Sequence, residues 1–280
     1  MSRALRLGAV SFLNARPLTA ALECEAGQGG LELIYEVPSE CANALREGRI
    51  DLGLIPSIDY ATSPVPYYIV PDIAIGCRGA VLTVRLFFRA DIAQIRSVAV
   101  DTSSVTSVAL LRIVLRERYG LAPEFRHRPP DLDAMLHDAD AALLIGDPVL
   151  PLVSPDCGDP QAAERSAGQR RSLDLGSEWL DLTGHPFIFA FWAGREGALS
   201  VADVDRLIRA RRAGEERVPE IARTFQRERT GSAEQYEHYL RHHIVFSMGE
   251  PELAGLREFY RLAHEHGLIE AVPDLRFYES

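Results

Sequence analysis

The chain has 280 residues, 47 % of them hydrophobic, and a formal charge of −10. That length suits two ordinary domains, no apolar run approaches the roughly 20 residues of a membrane span, and an acidic balance argues against nucleic acid as a partner. Lysine is absent, so all 30 basic residues are arginine, which excludes a Schiff-base or P-loop lysine.

The first third alternates strands and helices. Leu5–Val10 reads as a strand and Pro17–Glu25 as a helix, with Pro17 in a first turn where its missing N–H has no partner anyway. Leu31–Val37 is a second strand, followed by a helix Ser39–Glu47 with Ser39 as N-cap and Gly48 as its stop. Ile50–Ile55 is a third strand ending in Pro56-Ser57. This rhythm predicts a parallel sheet. Two apolar runs, Ala80–Phe88 and Pro186–Ala193, are β-branched or aromatic and too short for buried helices. Between them the pattern predicts strands at Ser97–Val100, Glu124–Arg128 and Ala141–Ile145, and helices at Ser107–Tyr119 and Leu132–His137. Ser154–Ser172, rich in Pro, Gly, Asp and Gln, reads as a surface loop. Beyond Gly194 the spacing of Val204, Leu207, Ile208 and of Leu253, Leu256, Phe259, Tyr260, Ala263 is helical.

The architecture expected is α/β: two lobes joined by two crossing strands, with the second lobe, residues 85–190, inserted into the first, residues 1–84 plus 191–280. Such a double crossing makes a hinge and a ligand cleft. The four cysteines (Cys24, Cys41, Cys77 and Cys157) lack Cys-x-x-Cys or metal spacing and read as reduced thiols. No GxGxxG, Walker A or EF-hand pattern occurs, and no metal or cofactor is expected. Met1–Val10 carries two arginines without a long apolar stretch after it, so a cytoplasmic location is expected.

Four strand-to-helix junctions would face the cleft: Ser11–Arg16, Pro56-Ser57, Asp101–Ser107 and Gly146-Asp147. The richest is DTSSVTS, Asp101–Ser107, with five hydroxyls in six residues, from Thr102 and Ser103 to Ser107. One hydroxyl suffices for a cap. Several, with free N–H groups at the positive end of a helix dipole, form a receptor for a carboxylate or phosphate. Asp147 ends a buried strand and either turns the chain or accepts a substrate proton. His185, before the second apolar run, reads more simply as structural.

The runs GAVSFLNARPL, ANALREGRIDLGLIPSIDYA, VDTSSVTSVALL, LLIGD and DLGSEWLDLTGHPFIFAFWAGR, in that order, together resemble the chorismate dehydratases of the futalosine route to menaquinone. The resemblance implies a type II periplasmic-binding-protein fold and cofactor-free loss of water from chorismate, giving 3-[(1-carboxyvinyl)oxy]benzoate. It also implies site roles. Ser104, Thr106 and Ser107, with Ser103 and the Gly146 backbone nearby, would hold a carboxylate. Asn14 and Thr83 would contact ring substituents, and Ser11, Arg16 and Ser57 would complete the cleft. The base would be Asp147 or the substrate's own enolpyruvyl carboxylate. Three positions depart from the family's pattern. Thr83 stands where Ser is usual and Val105 where Arg is usual, and His185 replaces an apolar residue. Arg16 or Arg78 would then replace the missing arginine. The alternatives are the sister 1,4-dihydroxy-6-naphthoate synthase of the same pathway, or a non-catalytic small-anion-binding protein. Oligomeric state is not encoded in any of these motifs.

Overall fold

The computed structural model describes residues 4–26, 30–101, 104–153 and 171–280. Thr102, Ser103, Cys157 and most of the expected 154–172 loop lie outside the described residues.

Strand β1 (Leu5–Val10) opens the first sheet, followed by a short 3-10 turn at Leu13–Ala15 and helix α1 (Arg16–Ala26). Strand β2 (Leu31–Glu36) leads to α2 (Pro38–Arg46). Here Ser39 is not the cap: Val37 holds that position without a side-chain bond, because Pro38 takes the first helical turn. Gly48 does stop the helix, at φ +73. Strand β3 (Leu52–Pro56) runs directly into α3 (Ser57–Ala61). Both β2 and β3 pair with β1 in parallel.

Short strands β4 (Tyr68–Ile69) and β5 (Ile75–Cys77) follow. The chain then passes to a second sheet, where β6 (Val84–Phe88), β7 (Ser97–Asp101), β8 (Glu124–Arg128), β9 (Ala141–Ile145) and β10 (Arg171–Asp174) lie in the order β10-β6-β9-β7-β8. Helices α4 (Val105–Tyr119) and α5 (Leu132–Asp138) connect them. Helix α6 (Leu175–Thr183) and strand β11 (Phe187–Gly194) return the chain to the first sheet. That sheet runs β2-β1-β3-β11-β4, with β5 also on β11. Both sheets are mixed rather than purely parallel. Strand β11 enters antiparallel to β3, and β6 antiparallel to β9, because each arrives from the opposite sheet.

The remaining helices are α7 (Val201–Glu216), α8 (Val218–Gln226), α9 (Ala233–His242) and α10 (Glu250–Glu265). Ser200 caps α7 with a reciprocal bond to Asp203. Helix α7 lies so close to α1 that a Cβ at Gly214 would sit 1.7 Å from the Pro17 carbonyl oxygen. One large apolar core spans both sheets, and a smaller one, including Phe87, Met135 and Leu144, sits under α5. No helix among the described residues is long and apolar enough to cross a membrane.

The first apolar run becomes a strand only at Val84, and the reason is a single carboxylate. Asp174, 8 % exposed, accepts the amide of Val81 (3.0 Å) on Oδ1 and that of Leu82 (2.7 Å) on Oδ2. Amides taken by a side chain cannot join a ladder. The same Oδ1 caps α6 through Gly176 N and Ser177 N, at 3.0 and 3.1 Å, and Arg85 stands 3.6 Å from Oδ2. Leu82 is consequently held at φ +63, in the left-handed region. Asp174→Ala strips four backbone amides of their acceptor and leaves Arg85 without its charge partner. It is expected to destabilise the protein by about 3 kcal/mol or more, read from urea denaturation; a loss under about 1 kcal/mol would show that water replaces the carboxylate.

Candidate active site

A cavity lies between the two sheets. Its walls come from strand ends, as expected where helices start at the carboxyl edge of a parallel region. Val10, Phe12 and Asn14 contribute from the end of β1, Pro56 from β3, and Phe189 and Ala190 from β11. The second sheet supplies Thr83 and Val84 before and within β6, Ile145 and Gly146 after β9, and Ser104 to Ser107 from the start of α4. Gly146 adopts φ +69, and a Cβ there would press 3.1 Å from the Phe12 ring, so glycine lets the two walls meet.

The α4 terminus is built as an acceptor's partner. Ser104 takes the N-cap position yet makes no side-chain cap bond. Its Oγ is buried with no hydrogen-bond partner among the described residues. Thr106 Oγ1 accepts from Ile58 N at 3.2 Å, which ties α3 of the first sheet to α4 of the second and leaves the Thr106 proton unassigned. Ser107 is also buried. Amides at a helix start carry partial positive charge, so the terminus offers neutral donors to an anion. Val105, 39 % exposed, lines the cavity where a charged side chain would have been an alternative.

Thr83, also on the second sheet's side, is the other polar centre of the lining. Its hydroxyl is 2.8 Å from Tyr239 Oη of α9. Gly146 N donates to the Thr83 carbonyl oxygen at 2.8 Å, fixing the loop after β9 against the crossing segment.

Asp147 sits beside this cavity rather than among its lining residues. Its Oδ1 accepts from Leu13 N at 2.9 Å, a bond from the second sheet to the turn that carries Asn14. Burial pushes the carboxyl up to about 6, while the Leu13 amide pulls the other way.

Of the residues singled out from sequence, the structure brings Asn14, Thr83, Ser104, Thr106, Ser107 and Gly146 to one cavity. It does not bring Ser11, Arg16 or Ser57 there. Ser11 is exposed. Arg16 points along α1 to Glu23 at 3.4 Å and lies over the Tyr35 ring. Ser57 is fully buried, donates to Ile188 O at 2.9 Å, and offers its own carbonyl to Tyr260 Oη at 2.7 Å; it pins α3 to β11 and α10. Arg78 pairs with buried Glu252 at 2.7 Å, so neither arginine stands in for the one expected at position 105. His185 packs near Gly255 of α10, outside the lining. Sequence reasoning passed over Phe12, Phe189, Pro38, Ile75, Val81 and Tyr239. Phe12 lies within a quoted motif but carries no polar signal, and Tyr239 lies on a helix, Ala233–His242, in which no residue spacing is singled out.

Among the described residues, no group of His, Cys, Asp or Glu is arranged to hold a metal ion. Among the described residues, no ionisable side chain lines the cavity.

Comparison with known proteins gives the family. A sequence model described as menaquinone biosynthesis matches residues 5–265. A Thermus thermophilus protein named chorismate dehydratase is 32 % identical over 258 residues, covering 90 % of this chain and 93 % of that protein. A solved Archaeoglobus fulgidus structure superposes with a TM-score of 0.74 at 19 % identity, covering 96 % and 99 % of the two chains. The Escherichia coli periplasmic aliphatic sulphonate binding protein gives 0.64 at 18 % identity, covering 100 % and 93 %. At these identities the structures establish the fold alone, which is that of the periplasmic binding proteins.

The buried Asp147 carboxyl makes a pH test. Its folded-state value, about 6, is above the ordinary 3.8, so folding favours the protonated form. Stability from this group is complete below about pH 4 and is lost as pH rises toward about 6. Asp147→Asn keeps an oxygen for the Leu13 amide and removes the titration. Its stability relative to wild type is expected to rise across that window in urea unfolding; parallel curves would show the carboxyl to be solvated.

Proposed function

The chain belongs to the menaquinone-biosynthesis family, and on that premise we propose that it is a carbon–oxygen hydro-lyase that converts chorismate to 3-[(1-carboxyvinyl)oxy]benzoate and water, acting in the cytoplasm. The relative named chorismate dehydratase, similar along nearly its whole length, supports the substrate. The observation that carries the mechanism is a cavity between two sheets lined by hydroxyls, an amide and apolar groups.

Chorismate carries a ring carboxylate, an enolpyruvyl carboxylate, a proton on C3 and a hydroxyl on C4. The C3 proton is acidified through the ring double bond conjugated with the ring carboxylate. Its removal moves negative charge onto that carboxylate; expulsion of the C4 hydroxyl as water then completes an aromatic ring. The protein's task is to orient the ring and stabilise the growing charge. Preorganised neutral donors in a site walled by Phe12, Phe189, Val81 and Ile145 do this well, because a low-dielectric surround strengthens each dipole. Ser104, Thr106 and Ser107, with the first amides of α4, are assigned to one carboxylate. Asn14 and Thr83 are assigned to the ring substituents.

Among the described residues, none lining the cavity is ionisable, and Asp147 accepts the Leu13 amide. The proton is therefore assigned to the substrate's enolpyruvyl carboxylate, which hangs from C3 itself. The C4 oxygen leaves with that proton as water, so no external acid or base is consumed. Closure around the substrate favours this route, since a dry site raises the basicity of a carboxylate.

Two variants test the assignment with chorismate as substrate. Asp147→Asn is expected to keep turnover within a few-fold of wild type, whereas a loss of about 10² or more would restore Asp147 as the base. Asn14→Ala is expected to lower kcat/KM by about tenfold or more, on the scale of one lost hydrogen bond; an unchanged value would make Asn14 loop scaffolding. Wild-type protein that binds chorismate and returns it intact would contradict the enzymatic reading.

A further inference from the structure

Tyr239 is the largest polar group near the cavity that the mechanism above does not use. It lies on α9, 1 % exposed, and is not part of the lining. Its hydroxyl is 2.8 Å from Thr83 Oγ1. Helix α9 is itself held in place at the second sheet: Ser232 caps it through Gln235 N at 3.1 Å, and Gln235 Nε2 donates to Leu150 O at 3.0 Å. Burial raises the phenol's pKa, and hydrogen bonds with the Thr83 and Asn14 side chains oppose that rise. The phenol thus keeps its proton through the neutral range, with its hydroxyl against that of Thr83.

A threonine hydroxyl has one proton to give and two lone pairs. Apart from Tyr239, the protein partner of Thr83 Oγ1 is the Val81 carbonyl oxygen at 3.5 Å, a long and poorly competitive bond. If the Tyr239 hydroxyl donates to Thr83 Oγ1, the Thr83 proton is left to point into the cavity, polarised by the bond behind it. Without Tyr239, the Thr83 proton turns back toward Val81 O.

We infer that Tyr239 is a positioning residue: its buried hydroxyl donates to Thr83 and thereby aims the Thr83 hydroxyl at the substrate. This rests on the proposed dehydratase reading and deepens it.

The test is a double-mutant cycle of Tyr239→Phe and Thr83→Val, with kcat and KM for chorismate and the melting temperature measured on each protein. Tyr239→Phe is expected to lower kcat about tenfold, the kinetic equivalent of one hydrogen bond, with KM within about threefold. In the Thr83→Val background it is expected to lower kcat no further, because its effect passes through the missing hydroxyl. A purely structural tyrosine would lower the melting temperature and give multiplicative losses in kcat. That result, or a Tyr239→Phe kcat within about twofold of wild type, overturns the inference while leaving the dehydratase reading intact. Should Tyr239→Phe not fold, Tyr239→3-fluorotyrosine preserves the shape and makes the hydroxyl a stronger donor; an unchanged kcat there also overturns it. Wild-type protein inactive on chorismate overturns the function itself and the role of Tyr239 with it.

Discussion

The Asp174 carboxylate governs the passage between the two sheets. It ends β10, caps α6, and takes the amides of Val81 and Leu82 out of any ladder. A buried carboxylate with this many N–H donors is far better satisfied inside the protein than a lone one would be. Its grip bends the chain at Leu82 and starts β6 at Val84. Thr83 is the residue left between bend and strand, facing the cavity with its carbonyl bonded to Gly146 and its hydroxyl to Tyr239. One charged group outside the cavity lining thus sets the position of a neutral one within it.

On the proposed reading, the site reverses the usual solution for a doubly negative ligand. Arginine is abundant in this chain, yet none among the described residues lines the cavity. A guanidinium beside the ring carboxylate would bind the ground state strongly. Binding that does not grow in the transition state adds nothing to kcat. In the proposed dehydration, hydroxyls and helix-end amides would grip more gently and respond to the charge that develops as the C3 proton leaves. Two bonds join the two sheets near the cavity, Leu13 N to Asp147 and Ile58 N to Thr106. Each fixes a segment that carries a lining residue.

Much of this was legible in the sequence because the information was local. The strands β1, β8 and β9 fall where alternation and apolar runs put them, and the α4 terminus announced itself by hydroxyls too numerous for a cap. What stayed hidden depends on contacts far apart in the chain. Ser57 looked like a cleft residue because it follows a strand, but its hydroxyl is spent on Ile188, 131 residues away. Asp147 reads from sequence as either a turn residue or a base; the amide that its carboxylate accepts, Leu13 N, is 134 residues distant. Helix α6 was missed between two stronger signals, although Asp174 caps it and Gly184 ends it at φ +74. Tyr239 carried no local mark at all, since its meaning is a hydrogen bond to a residue 156 positions earlier.

The most direct measurement is a crystal structure of the protein soaked with 3-[(1-carboxyvinyl)oxy]benzoate. The account predicts the aromatic ring between Phe12 and Phe189, one carboxylate on the hydroxyls and amides of Ser104 to Ser107, and no ionised side chain within hydrogen-bonding distance of the ring. A product molecule held by an arginine, or lodged outside this cavity, would contradict it.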